Sequence, residues 1–98
     1  MMAQAKHQHP LFPLGQEVAT PGALAALQEA RQLPLELLRR HQQGDWGDLS
    51  AEDKAENEFS VDKALRIFSA YILTTGVKIW VISEADRSYT TLLLPAEY

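Results

Sequence analysis

Residues 66–95 read RIFSAYILTTGVKIWVISEADRSYTTLLLP, and this stretch decides the fold. From Ala64 onward β-branched and aromatic residues crowd together, as they do in strands. Thr74-Thr75-Gly76 and Ala85-Asp86-Arg87 carry turn chemistry. They cut the stretch into three strands: ALRIFSAYILT, VKIWVISEA and SYTTLLLP, the last ending at Pro95. Consecutive strands joined by tight turns predict an antiparallel meander. In the middle strand Ile79 and Val81 point to one face, and Trp80 and Ile82 to the other. Both faces are therefore apolar at the centre, and Trp80 is expected in the core. One face must take a helical layer, because so small a sheet is not stable alone. The other is either covered by the segment before the helices or left exposed as a binding surface.

Upstream of the sheet the punctuation is helical. Thr20-Pro21 starts a first helix, PGALAALQEARQ, with Thr20 as N-cap and Pro21 in the first turn. Leu24 and Leu27, with Ala23 or Ala30, form its apolar stripe, and Pro34 closes it. A second helix, PLELLRRHQQ, begins at Pro34. Glu36 and Arg40 are spaced as an i,i+4 pair, Arg39, Arg40 and His41 suit the negative end of the dipole, and Gly44 suits the position just past the end. Ser50 caps a third helix with Asp53 three residues on, a variant of the capping box, and Leu49 can staple it. This helix is expected to run to 61–63, solvated, and held chiefly by Phe59 in the series Ala51, Ala55, Phe59. Before the helices, Leu11 to Ala19 reads as an extended lead-in that lays Leu11, Phe12, Leu14 or Val18 on the core. Pro13 argues against a central strand there. Residues 1–10, MMAQAKHQHP, read as a disordered polar tail, with His7 and His9 spaced as a weak metal pair. The expected architecture is α+β, with three N-terminal helices packed on a C-terminal three-stranded antiparallel meander in a single domain spanning 11–98.

The totals exclude more than they assign. The chain has 98 residues, no cysteine, and nine Lys+Arg against thirteen Asp+Glu, for a formal charge of −4. The missing cysteines remove disulfides, thiolate metal sites and a cysteine nucleophile. The acidic balance opposes general nucleic-acid binding, which needs surplus cations to displace counterions. No apolar run approaches the roughly 20 residues that span a bilayer, and the first ten residues lack the apolar centre of a signal peptide. A cytoplasmic location is expected.

The segments VATPGALAAL, LLRRHQQGDWGDL, RIFSAY and IWVISEADRSYTTLLLPAEY resemble a family of small bacterial proteins found on chromosomes, plasmids and integrated elements. GDWGDL and EADRSYTTLLLP are the most specific parts, and the resemblance covers about residues 15–98. It implies one compact domain and a mobile-element or defence setting. It supplies no catalytic residues.

Candidate chemistry gathers in two loops. Asp45 and Asp48 could join Glu84 and Asp86 as a carboxylate cluster for a hard divalent cation. Their alternative duty is to cap and solvate loops. His41 could act as a general base with Asp45, with Ser50, Ser69, Ser83 and Ser88 as hydroxyl nucleophiles, although none lies in a nucleophile-elbow context. Asp86 and Arg87 either close a turn or recognise a partner. Trp46, between Gly44 and Gly47, is either a lid on the joint between helices 2 and 3 or an exposed anchor. No Walker loop, dinucleotide fingerprint, zinc spacing or helix-turn-helix signature is present, and no cofactor is expected. The sequence thus favours a non-enzymatic domain that binds another protein, with Trp46, Asp45, Asp48, Asp86 and Arg87 as candidate binding residues, or itself, as a homodimer through the open face of the sheet. Two alternatives stand beside it. One is a metal-dependent hydrolase or nuclease using the four carboxylates. The other is an acidic inhibitor that presents residues 45–62 to a nucleic-acid-binding protein.

Overall fold

The structure, a computed structural model, describes residues 9–98. The expected tail lies mostly outside the described residues; His9 and Pro10, which fall within them, are exposed. The element order is β1 (Gln16–Ala19), α1 (Pro21–Ala30), α2 (Pro34–Gln42), α3 (Ala51–Lys63), β2 (Ile67–Ile72), β3 (Lys78–Ser83), β4 (Tyr89–Leu93) and a short 3-10 helix at Pro95–Glu97.

The class is α+β, but the sheet differs from the expected meander. It has four strands in the order β1-β4-β3-β2, and it is mixed. β2, β3 and β4 pair antiparallel as the turn signals indicated. The lead-in supplies the fourth strand: β1 pairs parallel with β4, Val18 lying beside Thr91. Pro13 does exclude a central strand, yet it leaves the chain free to join an edge three residues later. Gly15 makes the entry possible. Its φ is +66°, and a Cβ there would stand 2.4 Å from the carbonyl oxygens of Arg87 and Ser88.

The helix signals are realised at the atomic level. Thr20 Oγ1 accepts from the Ala23 N–H at 3.1 Å, and Ser50 Oγ from the Asp53 N–H at 3.1 Å. Gly44 follows α2 with φ +85°. The first helix stops earlier than Pro34 implies, because Arg31 turns left-handed at φ 58° and closes α1 at Ala30. The Glu36–Arg40 pair does not form. Glu36 accepts from the Gln32 side chain at 2.9 Å, and Arg40 turns to Asp45.

All three helices cover one face of the sheet. Ala23, Leu27 and Ala30 of α1 and Leu37 and Leu38 of α2 meet Ile67, Tyr71, Ile79, Val81 and Leu92 in one buried cluster, joined by Phe12, Leu14 and Trp46. α3 is attached differently from expectation. Phe59 is 52% exposed, and the buried residues of α3 are Asn57 and Ser60. Among the described residues no α-helix lies on the opposite face of the sheet. Trp80 lies there, half-buried, rather than in the core. Among the described residues no helix is long and apolar enough to cross a membrane.

Candidate functional site

The GDWGDLS segment is a structural joint. Trp46 is 2% exposed. Its ring stacks on Phe12 at 6.4 Å and meets the His41 ring edge-on at 6.0 Å. Its indole N–H donates to Glu58 at 2.9 Å, so its one polar atom is satisfied. Of the two readings the sequence left open, the lid describes this side chain and the exposed anchor does not. The backbone around it runs along the β2 edge. Asp48 N–H donates to the Ala70 carbonyl at 2.6 Å, and Ala70 N–H to the Trp46 carbonyl at 3.2 Å.

The carboxylates do not converge. Asp45 pairs with Arg40 at 2.6 Å, while its carbonyl accepts from the Tyr71 hydroxyl at 2.6 Å. Arg40 also lies over the Tyr71 ring, 4.4 Å from its centroid. Asp48 faces Lys78 at 3.5 Å, and Glu84 faces Arg66 at 3.5 Å. Lys78 and Glu84 bracket β3, which sets the two groups roughly 20 Å apart at about 3.3 Å per residue. Hard cations need their oxygens in one cavity at about 2.3–2.6 Å. A shared site for Asp45, Asp48, Glu84 and Asp86 is therefore ruled out by distance. Among the described residues no group of three or more His, Asp or Glu could hold a metal ion.

Asp86 and Arg87 also have internal duties. Asp86 accepts from the Ser88 N–H at 3.0 Å, which closes the turn; hydrogen bonds from the Ser88 side chain, and then from this N–H, lower its pKa from the usual carboxylate range. Arg87 gathers main-chain carbonyls: Leu65 at 2.7 Å, Glu84 at 2.9 Å, Ala85 at 3.2 Å and Ser60 at 3.1 Å. Its guanidinium ties the end of α3 to the β3–β4 turn. Each of the five residues proposed from sequence for partner binding thus has a partner within the chain, Trp46 being buried and Asp48 and Asp86 remaining exposed.

His41 is brought to two of the candidate hydroxyls, Ser69 and Ser83, but not to Asp45. Nδ1 lies 2.6 Å from Ser69 Oγ and Nε2 lies 3.0 Å from Ser83 Oγ. Ser83 Oγ is 2.6 Å from Thr90 Oγ1, which donates to the Leu14 carbonyl at 2.8 Å. The proton order follows from that last bond. Thr90 spends its hydrogen on Leu14, so Ser83 donates to Thr90 and accepts from His41 Nε2–H. Nδ1 is then the bare nitrogen, facing the Ser69 hydroxyl. His41, Ser69, Ser83 and Thr90 are all 0% exposed. Burial, with the nearby Arg87 charge in support, pushes the His41 pKa down to about 3. A neutral imidazole sealed in the core has no access to substrate, and this network is a bridge between α2, the sheet and the lead-in.

The sequence reading left the second sheet face open as a possible binding surface, but it did not name Arg66, Phe68 and Tyr98 on it. Phe68, Trp80 and Tyr98 form a chain of edge-on rings, with centroid separations of 5.0 Å and 5.8 Å. Arg66 donates to the Tyr98 hydroxyl at 3.1 Å. Together with Ile82 these residues line a depression of about 250 Å³. On the same face Val18, Ile72 and Tyr89 are 40%, 49% and 42% exposed, and Tyr98 itself is 69% exposed. The alternation around Trp80 was the available signal. Tyr98 could not be placed by any period. The expected acidic segment is also accounted for: Glu52, Asp53, Glu56 and Asp62 lie on the exposed side of α3, whereas Glu58 serves Trp46. No family model, curated protein or solved structure matches this chain, so the reading of its surface rests on its residues.

Proposed function

We propose that this chain is a binding domain whose working surface is the helix-free face of the sheet, and whose ligand is another protein. The observation that carries this reading is the Arg66–Trp80–Tyr98 cluster around the 250 Å³ depression. Tryptophan, tyrosine and arginine are the residue types that dominate binding energy at protein interfaces, and they do so at the centre of a desolvating patch. Here they are surrounded by half-exposed apolar side chains. Exposed apolar side chains grouped on one face mark interaction sites.

The size of the face sets the kind of contact. Strands of five to six residues give a length of about 20 Å, and four strands give a width of about 19 Å. The flat area is roughly 400 Å², half of the ~800 Å² each partner buries in a stable complex. One copy of the face fits a transient partner or a single element of a larger one. The mobile-element or defence setting remains part of this proposal, resting on the sequence resemblance alone.

The test is affinity capture with three forms of the chain, each checked for native circular dichroism: wild type, Trp80→Lys on the helix-free face, and Leu35→Lys on the exposed side of α2. A partner held by wild type and Leu35→Lys but lost with Trp80→Lys supports the reading. A partner indifferent to Trp80→Lys, and lost instead on charge reversal of Glu52, Asp53 and Glu56, would move the site to α3.

A further inference from the structure

The two edges of the sheet are treated very differently. On β2 the outward groups are all engaged at its centre. Asn57 Nδ2 donates to the Phe68 carbonyl at 2.6 Å, and the Phe68 N–H donates to Asn57 Oδ1 at 3.1 Å. The Trp46–Asp48 backbone takes both groups of Ala70. This edge is closed by a side-chain amide and a loop, as natural sheets close edges to stop unwanted pairing. On β1, Gln16 N–H and Thr20 N–H donate to the Ser88 and Leu92 carbonyls of β4, at 3.0 Å each. By alternation Val18 faces β4 as well, and Glu17 and Ala19 face outward. Among the described residues no loop or side-chain hydrogen bond reaches their outward N–H and C=O groups. Gln16, Glu17 and Val18 are exposed.

We propose that two copies of the chain pair antiparallel through β1, about a twofold axis at Val18. The register follows from which groups point outward. With Val18 opposite its own copy, Glu17 of each chain stands opposite Ala19 of the other. The Glu17 N–H donates to the Ala19 carbonyl across the axis, and the Ala19 N–H returns the bond. The side chains are self-complementary in this register. Val18 meets Val18 on the helix-free face, Gln16 meets Thr20, and Glu17 meets Ala19, so no like charges stand directly opposite. A shift by one residue would turn the outward N–H groups away from their acceptors. Gly15 and Pro21 bound the pairing on either side.

The pairing stands on the β1 edge and does not need the proposed function. Its consequence does. Two sheets joined at β1 set two helix-free faces side by side, and their combined area reaches roughly the 800 Å² that one side of a stable complex buries. Because the edge itself is short, the dimer is expected to be weak and in rapid exchange.

The chain has no cysteine, which gives a register-specific test. In antiparallel strands a non-hydrogen-bonded pair has Cα atoms roughly 4.5 Å apart, inside the disulfide range of about 4.4–6.8 Å. Val18→Cys should form a disulfide dimer at least about tenfold faster than Glu17→Cys or Thr75→Cys in an exposed turn, since only position 18 faces its own copy. Sedimentation of the wild type at millimolar concentration should show a dimer that Glu17→Pro removes. That proline deletes an outward N–H that β4 does not use, so native circular dichroism is retained. Val18→Cys crosslinking no faster than Thr75→Cys, or a wild type that stays monomeric at millimolar concentration, overturns the pairing. Glu17→Pro leaves Trp80 and its neighbours in place, so loss of the dimer and loss of partner binding at the face are separable results.

Discussion

Asn57 does what the apolar pattern of α3 assigned to Phe59. Its amide takes both backbone groups of Phe68, so one polar side chain imitates a neighbouring strand and fixes α3 against the sheet edge. The helical period could not reveal this. A polar residue on a solvated helix normally faces water, and Asn57 acquires its partner only after β2 is placed beside it. The same holds for Glu58, whose role depends on where the Trp46 indole comes to rest. Asn57→Ala leaves the Phe68 N–H and C=O without that partner. Loss of stability of roughly 1–3 kcal/mol is expected in urea unfolding, the cost of part-buried backbone groups left unpaired. A change below a few tenths would mean that water replaces the amide without loss. Asn57→Asp should not rescue it, because a carboxylate can accept from the N–H but only repels the carbonyl.

At the level of elements, the joint and the turn are the parts most exactly specified by position. Gly47 has φ +79°, and a Cβ there would lie 2.0 Å from the Ala70 carbonyl oxygen and 2.7 Å from the Tyr71 ring. The Trp46–Asp48 backbone must press against β2 to make its hydrogen bonds, so only glycine fits. Gly47→Ala is expected to lower stability by more than about 2 kcal/mol, since left-handed strain and a backbone clash act together. Gly76 has φ +92° but open space around it, so Gly76→Ala should cost only the strain. Thermal unfolding of the two variants side by side separates clash from conformation. Arg87 is the other fixed point. Arg87→Lys keeps the charge but replaces a planar fork by one ammonium. It should speed amide exchange at the end of α3 and in the β3–β4 turn, with the rest of the sheet little changed. These elements show how far the sequence could be read. Helix starts were legible because Thr20, Ser50 and the prolines act within one turn of chain. β2, β3 and β4 were legible from period and turns. β1 was not, because four residues after Pro13 and Gly15 carry almost no local signal. Its strand character comes from β4, some seventy residues away in sequence. The internal partners of the loop residues nominated for binding were hidden for a related reason. Carboxylates, Trp46 and Arg87 look functional in isolation, and their internal partners appear only in three dimensions.

For the whole molecule, the two faces of one sheet divide the work. The helix-covered face holds the buried His41–Ser69–Ser83–Thr90 network, and the other face holds the exposed aromatic cluster. The network makes the fold sensitive to acid in a defined window. Folded His41 binds a proton only near pH 3, whereas the unfolded residue does so at 6.5. Between these values the unfolded state holds the extra proton, so stability rises with pH across the window and falls as pH drops. Above pH 6.5 this contribution is fully present. Below it the loss approaches one proton's worth, about 1.4 kcal/mol per pH unit, and totals on the order of a few kcal/mol. Asp86 and Glu97 also have depressed pKa values, from side-chain hydrogen bonds with Ser88 and Thr20 respectively. Their stabilisation is lost at lower pH, beginning near the ordinary carboxylate values of 3.8 and 4.5. The interval from pH 6.5 down to 4.5 therefore isolates the histidine. Urea unfolding across that interval should give a falling stability for wild type and a nearly flat one for His41→Gln, whose amide can still bond to a hydroxyl but does not titrate. The Gln variant is expected to be less stable than wild type at pH 7 and to close the gap as pH falls. Parallel slopes for the two proteins would show that His41 becomes protonated in the folded state without penalty, and that the network is open to water.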